Sequence, residues 1–257
     1  MPSTYSPKVF AHRGSNTLAP ENSKPAFDLS LIEGADGFET DIQFSKDNTP
    51  LLFHDDDMSR IGMPEKSLNH FSWEELELLD ISLLSNEFHR FCGLMSLNDF
   101  IQNYYQKTKL LLELKEIKND GPKEVENKIQ QFLSQLYTNN VNPLSVMISS
   151  FEFELLEKVN NYTSNSFLIA NIKEAKYSND ISTLKENLPF IKGVCIQNDL
   201  VDQKVIQVAK SLDLITLTYT CNKESEILPA LESNIDIIIS DVPGDCKRII
   251  DKALNNL

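Results

Sequence analysis

The sequence predicts a closed α/β barrel of the TIM type, a (β/α)8 barrel folded as a single domain over residues 1–257. Three observations predict it. Short β-rich apolar runs recur along the whole chain, each followed by a polar stretch, most with helical spacing, which is the pattern of βα units around a parallel sheet. Eight such runs stand at residues 9–12, 37–44, 110–115, 145–151, 167–171, 193–197, 214–220 and 235–241, and a chain of 257 residues is long enough to close eight units into one barrel. An open doubly wound sheet, the main alternative, normally carries a glycine-rich phosphate turn after its first strand. Here the whole chain has eight glycines and neither G-x-G-x-x-G nor a P-loop pattern, so nucleotide binding of those kinds has no support.

Taken in order, strand one ends in His12-Arg13-Gly14. Histidine exchanges a proton near neutral pH, arginine offers a fork of donors suited to phosphate, and glycine lets the backbone turn sharply. A helix follows over residues 21–33. The second strand places Glu39 and Asp41 one residue apart, hence on one face, with Phe38, Thr40 and Ile42 on the other. Two anions so close repel and raise each other's pKa unless a cation sits between them, and a hard divalent ion is the simplest candidate.

The next apolar run closes in His54-Asp55. Of the four histidines, His12 and His54 both close apolar runs, and two histidines at one barrel mouth would supply a general acid and a general base. His70 and His89 read as surface residues of a long connection over about 55–96, an insertion that also holds Met63-Pro64 and a helical patch at 73–79. Asp56 and Asp57 read as solvated loop carboxylates. The third strand puts Glu113 and Lys115 on one face and Leu112 and Leu114 on the other; Glu113 would complete an oxygen-rich metal site and Lys115 would set a point charge beside it. Further helices are expected at 97–106, 122–137, 152–160, 202–212, 223–231 and 245–254.

A net charge of −14 argues against a nucleic-acid or anionic-membrane partner, and an anionic small substrate would need locally placed positive charge. The first eight residues are polar with two prolines, and no run approaches membrane-spanning length, so a cytoplasmic enzyme without membrane insertion is expected. Cys92, Cys195, Cys221 and Cys246 are widely spaced with no C-x-x-C pair and read as buried free thiols.

Three carboxylates, two histidines, an arginine and a lysine at strand ends together describe metal-assisted cleavage of a phosphate ester. The motifs that carry them resemble the glycerophosphodiester phosphodiesterase family: His12-Arg13-Gly14, four residues, then Ala19-Pro20-Glu21-Asn22-Ser23, followed by Glu39-Thr40-Asp41, His54-Asp55, Glu113-Leu114-Lys115, Ser149-Ser150-Phe151, Thr220-Cys221-Asn222 and the segment 236–243, in the family's order. The resemblance implies a TIM-type barrel, one divalent cation, Ca²⁺ or Mg²⁺, held by Glu39, Asp41 and Glu113, and His12 with His54 as the acid-base pair. It implies Arg13 and Lys115 as phosphate ligands and Glu21 as a supporting carboxylate, although from chemistry alone Glu21 equally fits a first-turn helix carboxylate. The implied reaction cleaves a glycerophosphodiester such as glycerophosphocholine or glycerophosphoethanolamine to glycerol 3-phosphate and an alcohol. Phe151 and Tyr219 are candidates for the alcohol pocket, or for packing.

The chain departs from the family after Arg60, where Ile61-Gly62-Met63-Pro64 replaces a Thr-Thr-Asn-Gly-like turn, at Tyr219, where the family has tryptophan, and at Asn234, where it has glycine. Two other readings fit the same barrel: a phospholipase D-type lyase that turns lysolipids into a cyclic phosphate, and a barrel that binds a phosphorylated ligand without turnover.

Overall fold

Side chains alternate along the barrel strands, and this divides the apolar residues between an inner and an outer core. The computed structural model describes residues 6–85, 90–118, 120–142, 144–163, 165–178 and 180–255. Its strands are β1 (Lys8–His12), β2 (Gly37–Phe44), β3 (Pro50–Leu52), β4 (Lys109–Leu114), β5 (Val146–Ser150), β6 (Phe167–Ile172), β7 (Gly193–Gln197), β8 (Ile215–Tyr219) and β9 (Ile237–Ser240). All but β3 run parallel, in the ring order β1-β2-β4-β5-β6-β7-β8-β9, and β9 pairs back with β1 to close it. All eight expected strands are present, and the (β/α)8 barrel is the observed fold.

The helices are α1 (Lys24–Ile32), α2 (Trp73–Leu76), α3 (Leu97–Tyr104), α4 (Pro122–Thr138), α5 (Phe153–Tyr162), α6 (Ala175–Ser178), α7 (Ile181–Asn187), α8 (Gln203–Ser211), α9 (Glu224–Glu232) and α10 (Pro243–Asn255). One expected boundary is corrected. Helix α1 begins at Lys24, because the Ser23 side chain caps it by accepting from Ala26 N and Asn22 sits at a left-handed φ of 56°. Glu21 therefore lies in the loop ahead of the helix and is not a first-turn carboxylate. The connection from β6 to β7, where no helix is predicted, contains α6 and α7, too short for a clear period.

The outer core lies between sheet and helices and includes Phe27, Phe38, Phe100 and Tyr104, whose rings cluster with centroids 4.7 to 6.3 Å apart. The inner core is a layer of Phe10, Leu111, Met147, Ile169, Cys195, Leu217, Ile237 and Ile239. Gly37 makes room for it: a Cβ there would stand 2.4 Å from the Phe10 ring. Two residues further along several of these strands the same inward face turns polar, giving His12 after Phe10, Glu113 after Leu111, Ser149 after Met147 and Asn171 after Ile169. The barrel is thus plugged by an apolar layer below and carries a polar layer at its C-terminal end, where the site forms.

Strand β3 pairs antiparallel with β2 outside the ring and leads into the long connection. That segment builds a core of its own from Leu51, Phe53, Met58, Ile61, Leu68, Leu76, Ile81, Leu84, Cys92 and Leu94. His70, Asp56 and Asp57 are exposed as expected, whereas His89 lies outside the described residues. The four cysteines are buried free thiols. Among the described residues no helix is long and apolar enough to cross a membrane.

Candidate active site

Register places the polar layer. His12 stands opposite Glu39, Asp41 opposite Glu113, and Glu113 opposite Ser149 on adjacent strands. As a result Glu39, Asp41 and Glu113 offer carboxylate oxygens that all lie within 4.8 Å of one another. Glu39 and Asp41 are 4% and 1% exposed, so their charges are not relieved by bulk water. Burial, then the charges of Asp41 and Glu113, pushes the Glu39 carboxyl up; burial and Asp41 do the same for Glu113. Asp41 moves the other way: burial would raise it, but Arg13 and Lys115 hold it below the ordinary carboxylate range.

Two cations brace this acidic cluster. Lys115 follows the last residue of β4 and sets its Nζ 3.0 Å from Glu113 and 3.5 Å from Asp41. Arg13 brings its Nε to 3.0 Å from Asp41 Oδ2 and its Nη1 to 3.2 Å from Glu21. It does so from a left-handed φ of 59°, costly for arginine, fixed by backbone bonds from Arg13 N to Glu39 O and from Asn22 N to Arg13 O. Gly14 must follow, since at its φ of 85° a Cβ would lie 2.6 Å from Ala26 Cβ. The His12-Arg13-Gly14 sequence is therefore a backbone device as well as a set of side chains.

Each site histidine is backed by a carboxylate. His12 Nδ1 lies 2.6 Å from Asp241 Oδ1, and its Nε2 points back toward Glu39 Oε2 at 3.9 Å. Asp241 also accepts from Asn16 at 2.6 Å and Asn222 at 2.5 Å. His54 Nδ1 lies 2.8 Å from Asp55 Oδ1, and Gln43, on the inward face of β2, donates to the Phe53 and Asp55 carbonyls to hold that loop against the barrel. Nδ1 thus carries the proton toward the carboxylate, and Nε2 is left for other work.

An alternating chain of charges joins the two halves. From Asp41 it runs through Arg13 to Glu21, then through Arg60, which donates to Glu21 at 2.7 and 3.1 Å, to Asp55 at 2.5 and 2.9 Å, and so to His54. Glu21, His54 and Asp55 also present ligand atoms within 4.8 Å of one another, but Arg60 already occupies the charge of that group.

Beside the carboxylates lies a small cavity lined by His12, Glu39, Glu113, Ser149 and Asn171 together with Phe151 and Tyr219. The two rings meet edge to face with centroids 5.8 Å apart. Glu39 Oε2 is buried there with no hydrogen-bond donor. An orphaned carboxylate oxygen among three converging carboxylates is the donor set of a hard divalent cation, so these residues fit an oxygen-ligated ion such as Ca²⁺ or Mg²⁺.

The model of the glycerophosphoryl diester phosphodiesterase family matches residues 12–245. The chain belongs to this family. Its members are phosphoric diester hydrolases, and the glycerophosphodiester phosphodiesterase of Bacillus altitudinis is 26% identical over 256 residues, covering 94% of this chain and 97% of that one. An Oleispira antarctica phosphodiesterase, solved with its product sn-glycerol-3-phosphate, superposes with a TM-score of 0.85 at 26% identity, covering 95% of this chain and 97% of that one. A glycerophosphodiester phosphodiesterase from Parabacteroides distasonis shares the fold with a TM-score of 0.81 at 17% identity, covering 98% of this chain and 99% of that chain.

Within this phosphodiesterase barrel the structure brings together His12, Arg13, Glu39, Asp41, Glu113 and Lys115, with Glu21 and His54 tied to them through Arg13 and Arg60. Sequence reasoning gave no role to Asp241, Asn16, Asn222, Asn171 or Arg60. A signal existed for two of these: Asn171 and Asp241 each fall two residues beyond an inward apolar residue, Ile169 and Ile239, in the pattern that picked out Glu113.

Proposed function

We propose that the protein hydrolyses glycerophosphodiesters, such as glycerophosphocholine or glycerophosphoethanolamine, to glycerol 3-phosphate and the free alcohol. The observation that carries this reading is the cluster of Glu39, Asp41 and Glu113, with an undonated Glu39 oxygen, set beside a carboxylate-backed histidine. In this reading the three carboxylates hold one divalent ion, Ca²⁺ or Mg²⁺, which when bound supplies Lewis-acid polarisation of a phosphoryl oxygen. Arg13 and Lys115, which lean on Asp41 and Glu113, would turn their remaining donors to the substrate's phosphate. His12 and His54 share the proton transfers: one takes the proton of the attacking oxygen, the other gives one to the departing alcohol. Asp241 and Asp55 hold the two rings in place while this happens. Phe151 and Tyr219 form the apolar wall against which the alcohol carbons would lie.

The test is direct. Incubation with glycerophosphocholine and each of Ca²⁺ and Mg²⁺, with released glycerol 3-phosphate coupled to its dehydrogenase, should give product. Absence of product with every divalent ion tried would end the proposal, and a cyclic phosphate as the final product, seen by phosphorus NMR, would replace hydrolysis by the lyase reaction. His12→Ala should lose about 10²- to 10⁴-fold in kcat while keeping metal affinity. Glu39→Gln should lose activity and metal binding together.

A further inference from the structure

The small cavity beside the carboxylates is lined by Asn171, whose Oδ1 is a second buried oxygen without a donor. This side chain ends the inward face of β6 and is 5% exposed. Its Nδ2 donates to Glu113 Oε2 at 3.1 Å and approaches Ser149 Oγ at 3.4 Å. A carboxylate at a metal-type cluster accepts, so the amide nitrogen must face Glu113 and the orientation of the group is fixed. Oδ1 is then the atom left buried without a donor. The neighbouring hydroxyl of Tyr219 does not serve it, because that hydroxyl lies 3.3 Å from the Ile172 carbonyl, to which it donates.

A buried amide oxygen requires a proton donor or a cation. The phosphate of a diester offers neither, since its oxygens are unprotonated acceptors. A quaternary ammonium alcohol such as choline has no N–H to give, and its charge is shielded by methyl groups from close approach to a single amide oxygen. An ethanolamine would have one, but the donors common to every glycerophosphodiester are the free hydroxyls of its glycerol part, and the cavity that Asn171 shares with His12, Glu39 and Glu113 adjoins the reacting groups. Resting on the function proposed above, we propose that Asn171 is a specificity-determining residue: its Oδ1 accepts a hydrogen bond from a hydroxyl of the substrate's polyol moiety, while its Nδ2 holds Glu113. The site thereby selects a hydroxylated three-carbon phosphate over a deoxy one, because a substrate without that hydroxyl leaves the acceptor unpaired.

Binding tests this without reliance on turnover. Glycerol 3-phosphate, propane-1,2-diol phosphate and propane-1,3-diol phosphate are titrated by calorimetry into the Ca²⁺-loaded full-length protein and into its Asn171→Leu variant. The variant is expected to bind glycerol 3-phosphate about 10- to 100-fold more weakly. One deoxy compound, the one that lacks the bonded hydroxyl, should bind wild type and variant alike, since removing either partner of one contact removes the same interaction. Asn171→Ser, whose smaller side chain tolerates the site if leucine does not fold, should repeat the pattern. Equal weakening of all three ligands, or of none, overturns the proposal by making Asn171 a support for Glu113 alone. A loss of Ca²⁺ affinity as large as the loss of ligand affinity also overturns it, because the side chain would then act through the ion, directly or by holding Glu113. Failure of the wild type to bind any of the three compounds removes the glycerophosphodiester reading itself, a result unlike either of these.

Discussion

His12 stands between two anions, Asp241 at Nδ1 and Glu39 beyond Nε2, and only the first is within hydrogen-bonding distance. Burial raises the Asp241 carboxyl, but the bond and charge of His12 and the donors of Asn16 and Asn222 outweigh it and bring it down to about 2. An unfolded aspartate titrates near ~3.9, so the ionised group stabilises the fold at every pH above about 4 and that support is lost as the pH falls toward 2. The contribution is roughly 2 kcal/mol. Asp241→Asn should therefore lower stability near neutral pH and flatten the acid limb of the melting curve between about pH 4 and pH 2, as followed by circular dichroism. The same variant should lose about 10²-fold in kcat, since a neutral amide neither fixes the ring tautomer nor stabilises the imidazolium. Residues of this kind are half legible. Glu39 and Asp41 announce themselves because charges interrupt an apolar strand, whereas Asp241 comes just after β9, where a loop aspartate is ordinary: the inward pattern set by Ile239 points to it, but its role rests on a partner 229 residues away.

The connection after β3 is more than a decoration on the barrel, because it delivers Arg60. Ile61 and Met58 bury into the connection's own core, and this seats the intervening 3₁₀ turn, Ser59–Ile61, so that the guanidinium reaches both Glu21 and Asp55. Arg60 touches neither the carboxylate cluster nor the cavity, and it acts through Asp55 on His54 and through Glu21 on Arg13. Arg60→Ala should cost about 10- to 100-fold in kcat/KM, with metal affinity kept. Added guanidinium should restore part of it, and Arg60→Lys should fall between, since an ammonium cannot fork to both carboxylates. An Arg60→Ala protein as active as wild type would show that the charge chain is ornament. At this scale the eight barrel strands were legible because each is a short β-rich apolar run followed by a polar stretch. Strand β3, three residues long, and α6 and α7, of four and seven residues, carry too few repeats for a period to register. The distance between Arg60 and Glu21 along the chain, 39 residues, hides their contact from any local pattern.

For the whole molecule, an acidic protein of net charge −14 concentrates three carboxylates at the C-terminal end of its barrel and offsets them there with Arg13 and Lys115. The like charges of Glu39, Asp41 and Glu113 work against folding until a cation joins them. A divalent ion that binds the folded chain alone stabilises it by about 2.7 kcal/mol at a hundredfold excess over its dissociation constant. For a domain of this size that corresponds to a rise of roughly 5–10 °C in melting temperature. Wild type stripped with EDTA should therefore melt lower than the same protein in millimolar Ca²⁺ or Mg²⁺. Glu39→Gln removes one of the repelling charges and one proposed ligand at once, so its metal-free form should melt above metal-free wild type while its response to added ion shrinks. These two shifts have opposite signs, which separates a metal centre from a merely structural ion-pair cluster. If Glu39 served only the packing of Arg13 and His12, the variant would melt lower with and without the ion, and the carboxylates would have to be read as a purely structural network.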